Sequence, residues 1–460
     1  MKKFAILGYY KNQLTLDLNS DWEVVTVPFI NEKMELQYGI ERSLRTMLSY
    51  GIVPTDSGLD ILSLASLVYL ADTRVSRSKD SQDSWTREFL IAAPVKNVET
   101  WSSSKETIER MLNFLTGDRW SVDFYQRDID IDSIIENKEV SEEKQKFDVV
   151  SLFSGGMDSL ISTINVLHEE QRPLLISHSG DGFTKNVQTN IISGLCSAYK
   201  YLEPLQLSLW MVFDTNFIPQ SEPENTTRSR SFLFIALGIF ALSGMETVTK
   251  LKVPENGLIA LNVPLDNLRV GSHSTRTTHP YYLKLWNILL QKLSLDITVE
   301  NDYWNKTKGE MVAESNNKEL LKELMPISIS CSSPGKVRWD KKPPQHCGYC
   351  VPCIIRRAAM QKAFGLHEDK TCYSEASVMK LNNYHDTAAG MQLRSFQAAI
   401  TRIKKNPELA ELLIHKPGPL DRNDVLLKEL ADVYRRGLME VSDFIEKEIE
   451  FEKGEANETT

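Results

Sequence analysis

The chain has 460 residues, 42% hydrophobic and 25% charged, with a formal net charge of −9. A length of that order suits roughly two to four domains, and the composition is that of a chain that buries full cores rather than a disordered or fibrous one. The negative charge gives no general attraction to nucleic acid, no lysine- or arginine-rich tract supplies one, and the longest apolar run, residues 232–242, falls well short of a membrane span.

In chain order, the two lysines at Lys2 and Lys3 precede only a short apolar stretch with no small-residue cleavage site. This predicts a first strand over residues 3–9 rather than a signal peptide, and a cytoplasmic protein. Extended chain is expected over 22–29, a helix over 36–50, strands over 59–69 and 89–95, and a helix over 105–115. Together these read as a mixed α+β accessory domain over 1–146, with the acidic and polar segment 136–146 as its linker.

Strand and helix then alternate: strand 147–153, helix 158–170, strand 173–178, helix 185–199, strand 206–214, helix 231–242. Such alternation predicts a parallel sheet covered by helices on both faces. The run Ser154-Gly155-Gly156-Met157-Asp158-Ser159 falls at the first strand-to-helix turn. Two glycines let the backbone approach a ligand, the first helical N–H groups lack partners, and the helix dipole favours an anion there, so a phosphate site is expected. Asp158 beside a phosphate calls for a cation between them, with Mg²⁺ the natural one. The motif has neither the Lys-Ser/Thr ending of a P-loop nor the GxGxxG of a dinucleotide site. His178-Ser179-Gly180-Asp181 follows the second strand, which makes His178 a candidate for the nucleoside half of a bound nucleotide, with Asp181 alternatively a helix cap.

Four cysteines form Cys331…Cys347-Gly348-Tyr349-Cys350-Val351-Pro352-Cys353. Three thiolates at two-residue spacing and one from upstream suit a structural Zn²⁺ better than a redox pair, while an iron–sulfur cluster shares the spacing. His346 is an alternative ligand, and Cys196 and Cys372 read as plain thiols. Beyond residue 365 the chain reads as a helical extension, 366–460. Leu427, Leu430, Tyr434, Leu438, Val441 and Ile445 recur at helical spacing after the capping candidates Asn423 and Asp424, and a disordered tail is expected from residue 453.

The Ser154–Ser159 run resembles the SGGxDS loop of the PP-loop ATP pyrophosphatases, which cleave ATP to AMP and pyrophosphate. Combined with Cys331…Cys347-Gly348-Tyr349-Cys350-x-x-Cys353-Ile354-Ile355-Arg356, it resembles 7-cyano-7-deazaguanine synthase, the QueC family. Arg230-Ser231-Phe232-Leu233-Phe234 looks like that family's arginine-led helix start, with Ser231 in place of its usual Asn. Lys308-Gly309-Glu310-Met311-Val312 looks like its lysine-containing segment, or in the plain reading a capping box begun by Thr307.

The likeness covers roughly residues 147–365, a Rossmann-like domain of the adenine nucleotide alpha hydrolase type. Residues 261–269 do not match the family's substrate region. The strings Trp85-Thr86-Arg87-Glu88-Phe89-Leu90 and Phe114-Leu115-Thr116-Gly117-Asp118-Arg119-Trp120 resemble the long QueC-like proteins of bacterial anti-phage operons, of the QatC type in Qat systems.

The resemblance implies an enzyme that adenylates a carboxylate, 7-carboxy-7-deazaguanine in the family, using ATP and Mg²⁺, then couples it to a nitrogen nucleophile. Ser154, Gly155, Gly156, Met157, Asp158 and Ser159 would hold the pyrophosphate, with Asp158, Ser159, Lys308 and Arg230 acting on the reacting phosphates. Expected partners are a deazapurine and proteins of the same operon, with a homo-oligomer left open. A preQ0 synthase, a tRNA-modifying PP-loop enzyme and a non-catalytic nucleotide-binding scaffold stay open as alternatives.

Overall fold

The first residues of the chain form a strand because an apolar run, Phe4 to Leu7, is completely buried between two neighbouring strands. The computed structural model describes residues 2–458 except 82, 225, 267–275, 337–340, 342 and 384–386. The N-terminal third contains β1 (Lys3–Tyr9), β2 (Trp22–Pro28), α1 (Ile40–Ser49), α2 (Asp56–Arg74), α3 (Arg77–Asp80), β3 (Glu88–Val95), α4 (Val98–Thr116), β4 (Arg119–Gln126) and α5 (Ile131–Ile135). Its four strands pair in the order β2-β1-β3-β4, all parallel. The unit is therefore α/β in its own right, not the mixed α+β domain expected from the sequence.

The strand expected over 59–69 is the middle of α2. That helix is buried nearly all round, so its apolar residues show no one-sided period and imitate a buried strand. Leucine and alanine favour the helix, and Thr55 caps it by accepting from the Gly58 N–H.

The second unit runs β5 (Val149–Leu152), α6 (Met157–His168), β6 (Pro173–His178), α7 (Gly182–Ala198), β7 (Leu205–Leu209), α8 (Arg230–Leu242), β8 (Lys250–Lys252), α9 (Gly257–Leu261), α10 (Pro280–Lys292), β9 (Thr298–Glu300), α11 (Lys308–Ala313), α12 (Lys318–Leu324) and α13 (Val351–Phe364). Its strands pair in parallel in the order β7-β6-β5-β8-β9. Chain order reverses between β5 and β8, and in open sheets of this kind that switch point leaves a crevice at the carboxyl ends of the strands. Alternate side chains face opposite layers: Val150, Leu174 and Ile176 join the core that holds α8 and α10, while Leu175 joins the core formed with α6, α7 and α12. The sheet thus has helices on both faces, as expected.

The core on the α8 side is shared with the N-terminal sheet. Phe4, Leu62 and Ile91 belong to the same apolar cluster as Phe232, Leu237 and Trp286. The boundary expected at residue 146 separates two sheets without separating two cores.

The C-terminal extension contributes α14 (Val378–Asn383), α15 (Ala388–Lys405), α16 (Leu409–Leu413) and α17 (Asp424–Glu458). Leu430, Tyr434, Leu438, Val441 and Ile445 of α17 are buried in a second core with Leu258, Ile354 and Ile355, so the helical period read from the sequence is a packing stripe. The α17 helix continues through Glu458, where composition suggested a tail without structure from residue 453. Of the departures in 261–269, residues 267–269 lie outside the described residues. Among the described residues, no helix is long and apolar enough to cross a membrane.

Candidate functional site

The glycine-rich turn leaves the carboxyl end of β5 at the switch point and enters α6. Gly155 takes a left-handed φ of 81°, and a Cβ there would press on Val187 and Gln188 of α7, so this turn is open only to glycine. Ser154 is exposed, and its Oγ accepts from the Gly156 N–H at 3.2 Å. The Ser159 hydroxyl donates to the Gly156 carbonyl at 3.0 Å and lies 3.3 Å from the Ser154 hydroxyl. The N-cap of α6 is Gly156, which has no side chain to cap the helix, so N–H groups of the first turn beyond Met157 are left to bind an anion through the backbone.

On one side of this turn lies a buried charged cluster. Asp158, 5% exposed, pairs through Oδ1 with Lys308 Nζ at 2.9 Å. Its Oδ2 accepts from the backbone and side chain of Asn256, at 3.2 and 2.8 Å. Asn256 Nδ2 also donates to Glu255 Oε1 at 3.0 Å. Burial would raise the Asp158 carboxyl, but the Lys308 ammonium and these hydrogen bonds outweigh it and hold the group well below the usual carboxylate range. Burial, and then the charge of Asp158, push the carboxyl of Glu255 well above that range. Lys308 sits at the first position of α11 within a complete Thr307–Glu310 capping box, as the plain reading of this segment expects. It reaches the glycine turn through Asp158.

On the other side, Gln188 Nε2 donates to the Ser154 carbonyl at 3.3 Å and to the His178 carbonyl at 3.4 Å. Arg230, the first residue of α8, donates from Nη2 to the same His178 carbonyl at 3.1 Å. Arg230 makes no ion pair with a carboxylate among the described residues, so the site carries one cation without a counter-charge. His178 is 1% exposed, and burial together with Arg230 lowers its imidazole to about 3, keeping it neutral. Asp181 is the N-cap of α7, accepting from the Thr184 N–H at 2.8 Å.

The four cysteines converge as their spacing predicts. Cys350 is the N-cap of α13 and Cys353 lies on its first turn, while Gly348 holds φ at 86° beside the Glu375 carbonyl, where a Cβ could not fit. The four Sγ atoms lie within 4.8 Å of one another, with Cys347–Cys353 and Cys331–Cys350 each at 3.9 Å. A tetrahedral ion with Zn–S bonds of about 2.3 Å needs sulfurs about 3.8 Å apart, so this cage could hold a single metal such as zinc. A multi-iron cluster, whose thiolates bind separate irons, would need a wider ring. His346 is not among the converging groups, because its Nε2 accepts from the Ser330 N–H at 3.1 Å. Cys196 and Cys372 are separate free thiols.

The cage and the glycine turn are joined by residues 328–330. The Ile329 N–H donates to the Gly155 carbonyl at 3.0 Å, and the Met157 N–H reaches Ser330 Oγ at 3.4 Å. Buried Arg356 of α13 holds this strip from behind, donating to Ser328 Oγ at 2.9 Å and Thr371 Oγ1 at 3.0 Å.

Sequence reading placed the glycine turn, His178, Arg230 and Lys308 in one site and missed Gln188, Glu255, Asn256 and Ser330. Glu255 and Asn256 follow β8, whose Lys-Leu-Lys sequence carries too little apolar signal to read as a strand. Had β8 been recognised, the switch-point rule would have pointed to them. The chain matches no protein-family model, and no curated protein or solved structure matches it either.

Proposed function

We propose that the chain is a QueC-like PP-loop enzyme that uses ATP to adenylate a carboxylate and then joins the acyl group to a nitrogen nucleophile. The observation that carries this reading is the convergence of a glycine-led helix start, an arginine with no carboxylate partner among the described residues and a lysine–carboxylate cluster at the switch point of a parallel sheet. Anionic ligands belong in such a place.

In the proposed reaction a carboxylate oxygen attacks the α-phosphorus. The bond from that phosphorus to the bridging oxygen breaks, and the electron pair leaves with pyrophosphate. The glycine turn receives the pyrophosphate, with Ser154 donating its hydroxyl hydrogen, Ser159 holding the turn through its bond to the Gly156 carbonyl, and Arg230 neutralising developing charge. Asp158, with Glu255 beside it, would hold Mg²⁺, which screens carboxylate from phosphate. Lys308 keeps Asp158 ionised for that role. An amine or ammonia then attacks the acyl carbon, AMP leaves, and the nitrogen gives up a proton.

The family resemblance suggests 7-carboxy-7-deazaguanine as the carboxylate and an antiviral setting, with an amine on a partner protein of the same operon as one acceptor. The Cys331, Cys347, Cys350 and Cys353 cage would hold structural Zn²⁺. The test is carboxylate-dependent exchange of labelled pyrophosphate into ATP by the purified chain. Exchange that requires 7-carboxy-7-deazaguanine and is lost in Asp158→Ala supports the proposal. Release of ADP and orthophosphate, or no response to ATP, overturns it. A mass increase on a co-expressed partner, absent with Ser159→Ala, would identify the acceptor as protein.

A further inference from the structure

Buried polar atoms without partners are few in folded proteins, and each costs about 1–3 kcal/mol. Four of them gather beside the glycine turn: both ring nitrogens of His178, the hydroxyl of Ser179 and Oε1 of Gln188 have no hydrogen-bond partner among the described residues. The three side chains are at most 1% exposed. They are continuous with the phosphate end of the site, because Gln188 donates to the carbonyls of both Ser154 and His178. A neutral imidazole and a hydroxyl offer donors and acceptors but no charge, which suits a heterocycle edge or sugar hydroxyls rather than phosphate.

The wall facing them comes from the N-terminal unit. The Tyr69 ring of α2 meets the His178 ring edge-on, with centroids 5.4 Å apart and planes at 81°. The Tyr69 hydroxyl lies 3.7 Å from where a Cβ on exposed Gly180 would stand, so it borders the open end of this group. One turn further along α2, Asp72 Oδ2 accepts from the Ser229 N–H at 2.7 Å, fixing the residue that precedes Arg230. A single helix of the N-terminal unit therefore lines the polar group and anchors the start of the helix bearing Arg230.

We propose that Tyr69 is a specificity-determining residue of the nucleotide site, closing its nucleoside end over His178 and Ser179, so that the site is a composite of both sheets. This rests on the ATP reading given above. The N-terminal unit is then part of the binding site rather than an appendage to it.

The test is calorimetric titration of the full chain with Mg–ATP, Mg–GTP and inorganic pyrophosphate. Tyr69→Ala is expected to weaken ATP by about tenfold or more and to narrow the ratio of ATP to GTP affinity, with pyrophosphate changed less than about twofold. Tyr69→Phe, which keeps the ring, should retain most of the affinity and the selectivity. Ser179→Ala, which removes one unpartnered hydroxyl without opening the core, should weaken ATP by a few fold and leave pyrophosphate alone. Unchanged ATP binding in both Tyr69→Ala and Ser179→Ala, or equal losses for ATP and pyrophosphate, overturns the inference while leaving the ATP reading intact. A wild-type chain that binds neither ATP nor pyrophosphate overturns the ATP reading itself, and this inference with it.

Discussion

At the scale of single residues, the two strings that set the N-terminal third apart in the sequence each give one member, Arg87 and Asp118, to a four-residue ion cluster completed by Asp72 and Arg77. Arg87 and Arg77 both grip Asp118 in two-pronged fashion, through bonds of 2.7 to 3.1 Å, and both also reach Asp72. All four side chains are buried. Burial would lower Asp118's tendency to ionise, but the two guanidinium groups reverse this and hold its carboxyl below the usual range. Removing one member leaves buried charge uncompensated, which costs about 3–5 kcal/mol, whereas a partly exposed pair such as Lys3–Glu88 contributes about 1 kcal/mol or less. Asp118→Ala is therefore expected to lower the urea midpoint several times further than Glu88→Ala. Equal shifts would show the cluster to be energetically idle. The pairing was invisible in the sequence because Arg87 and Asp118 lie far apart along the chain, and only the parallel alignment of β3 with β4 brings them together. By contrast the cysteines, close in sequence and alike in chemistry, were legible at once.

At the scale of elements, legibility followed the strength of the local pattern. The strands β1, β3 and β6 carry dense apolar runs and match their expected ranges nearly to the residue, while β5 is three residues shorter than the apolar run that marks it. The helix α2 misled because total burial erases the helical period, and β8 was missed because a three-residue strand has too few side chains to show any period. The strip 328–330 was equally hidden, since its role depends on what it touches: the glycine turn in front and Arg356 of α13 behind. That strip leads directly into Cys331, so the cysteine cage and the glycine turn share a short length of backbone. Metal-linked folding is worth on the order of 10 kcal/mol in small zinc domains, enough to hold such a segment. Purified chain is expected to contain one zinc per polypeptide. Cys353→Ser, or prolonged chelation, should lower both the melting temperature and the affinity for pyrophosphate, because the Ile329 and Ser330 contacts to the turn loosen together. Loss of metal with pyrophosphate affinity unchanged would show that the cage stabilises its own loop only.

At the scale of the whole molecule, the shared core of the two sheets makes stability a joint property, and buried histidines make that property pH-dependent. His178 stands at the end of β6 and His279 caps α10, and burial followed by a neighbouring arginine lowers each imidazole to about 3. In the unfolded chain both titrate near 6.5, so the unfolded state binds more protons once the pH falls below that value. Their contribution to stability is therefore complete above about pH 6.5 and is lost progressively as the pH falls towards 3. At pH 5.5 the loss is roughly 1.4 kcal/mol for each histidine. Glu255 acts in the opposite sense: its raised carboxyl is a burden at high pH that is relieved as the group protonates. The cleanest measurement is thus made in a Glu255→Gln background, comparing urea midpoints at pH 7.5 and 5.5 with and without His279→Gln. His279 packs against Phe114 of the N-terminal unit while capping α10 of the second, so its titration is felt across the common core. A single cooperative transition whose midpoint falls at the lower pH, and falls less in the His279→Gln chain, is expected from one shared core. Two separate transitions, with only one of them sensitive to pH, would mean that the sheets unfold independently.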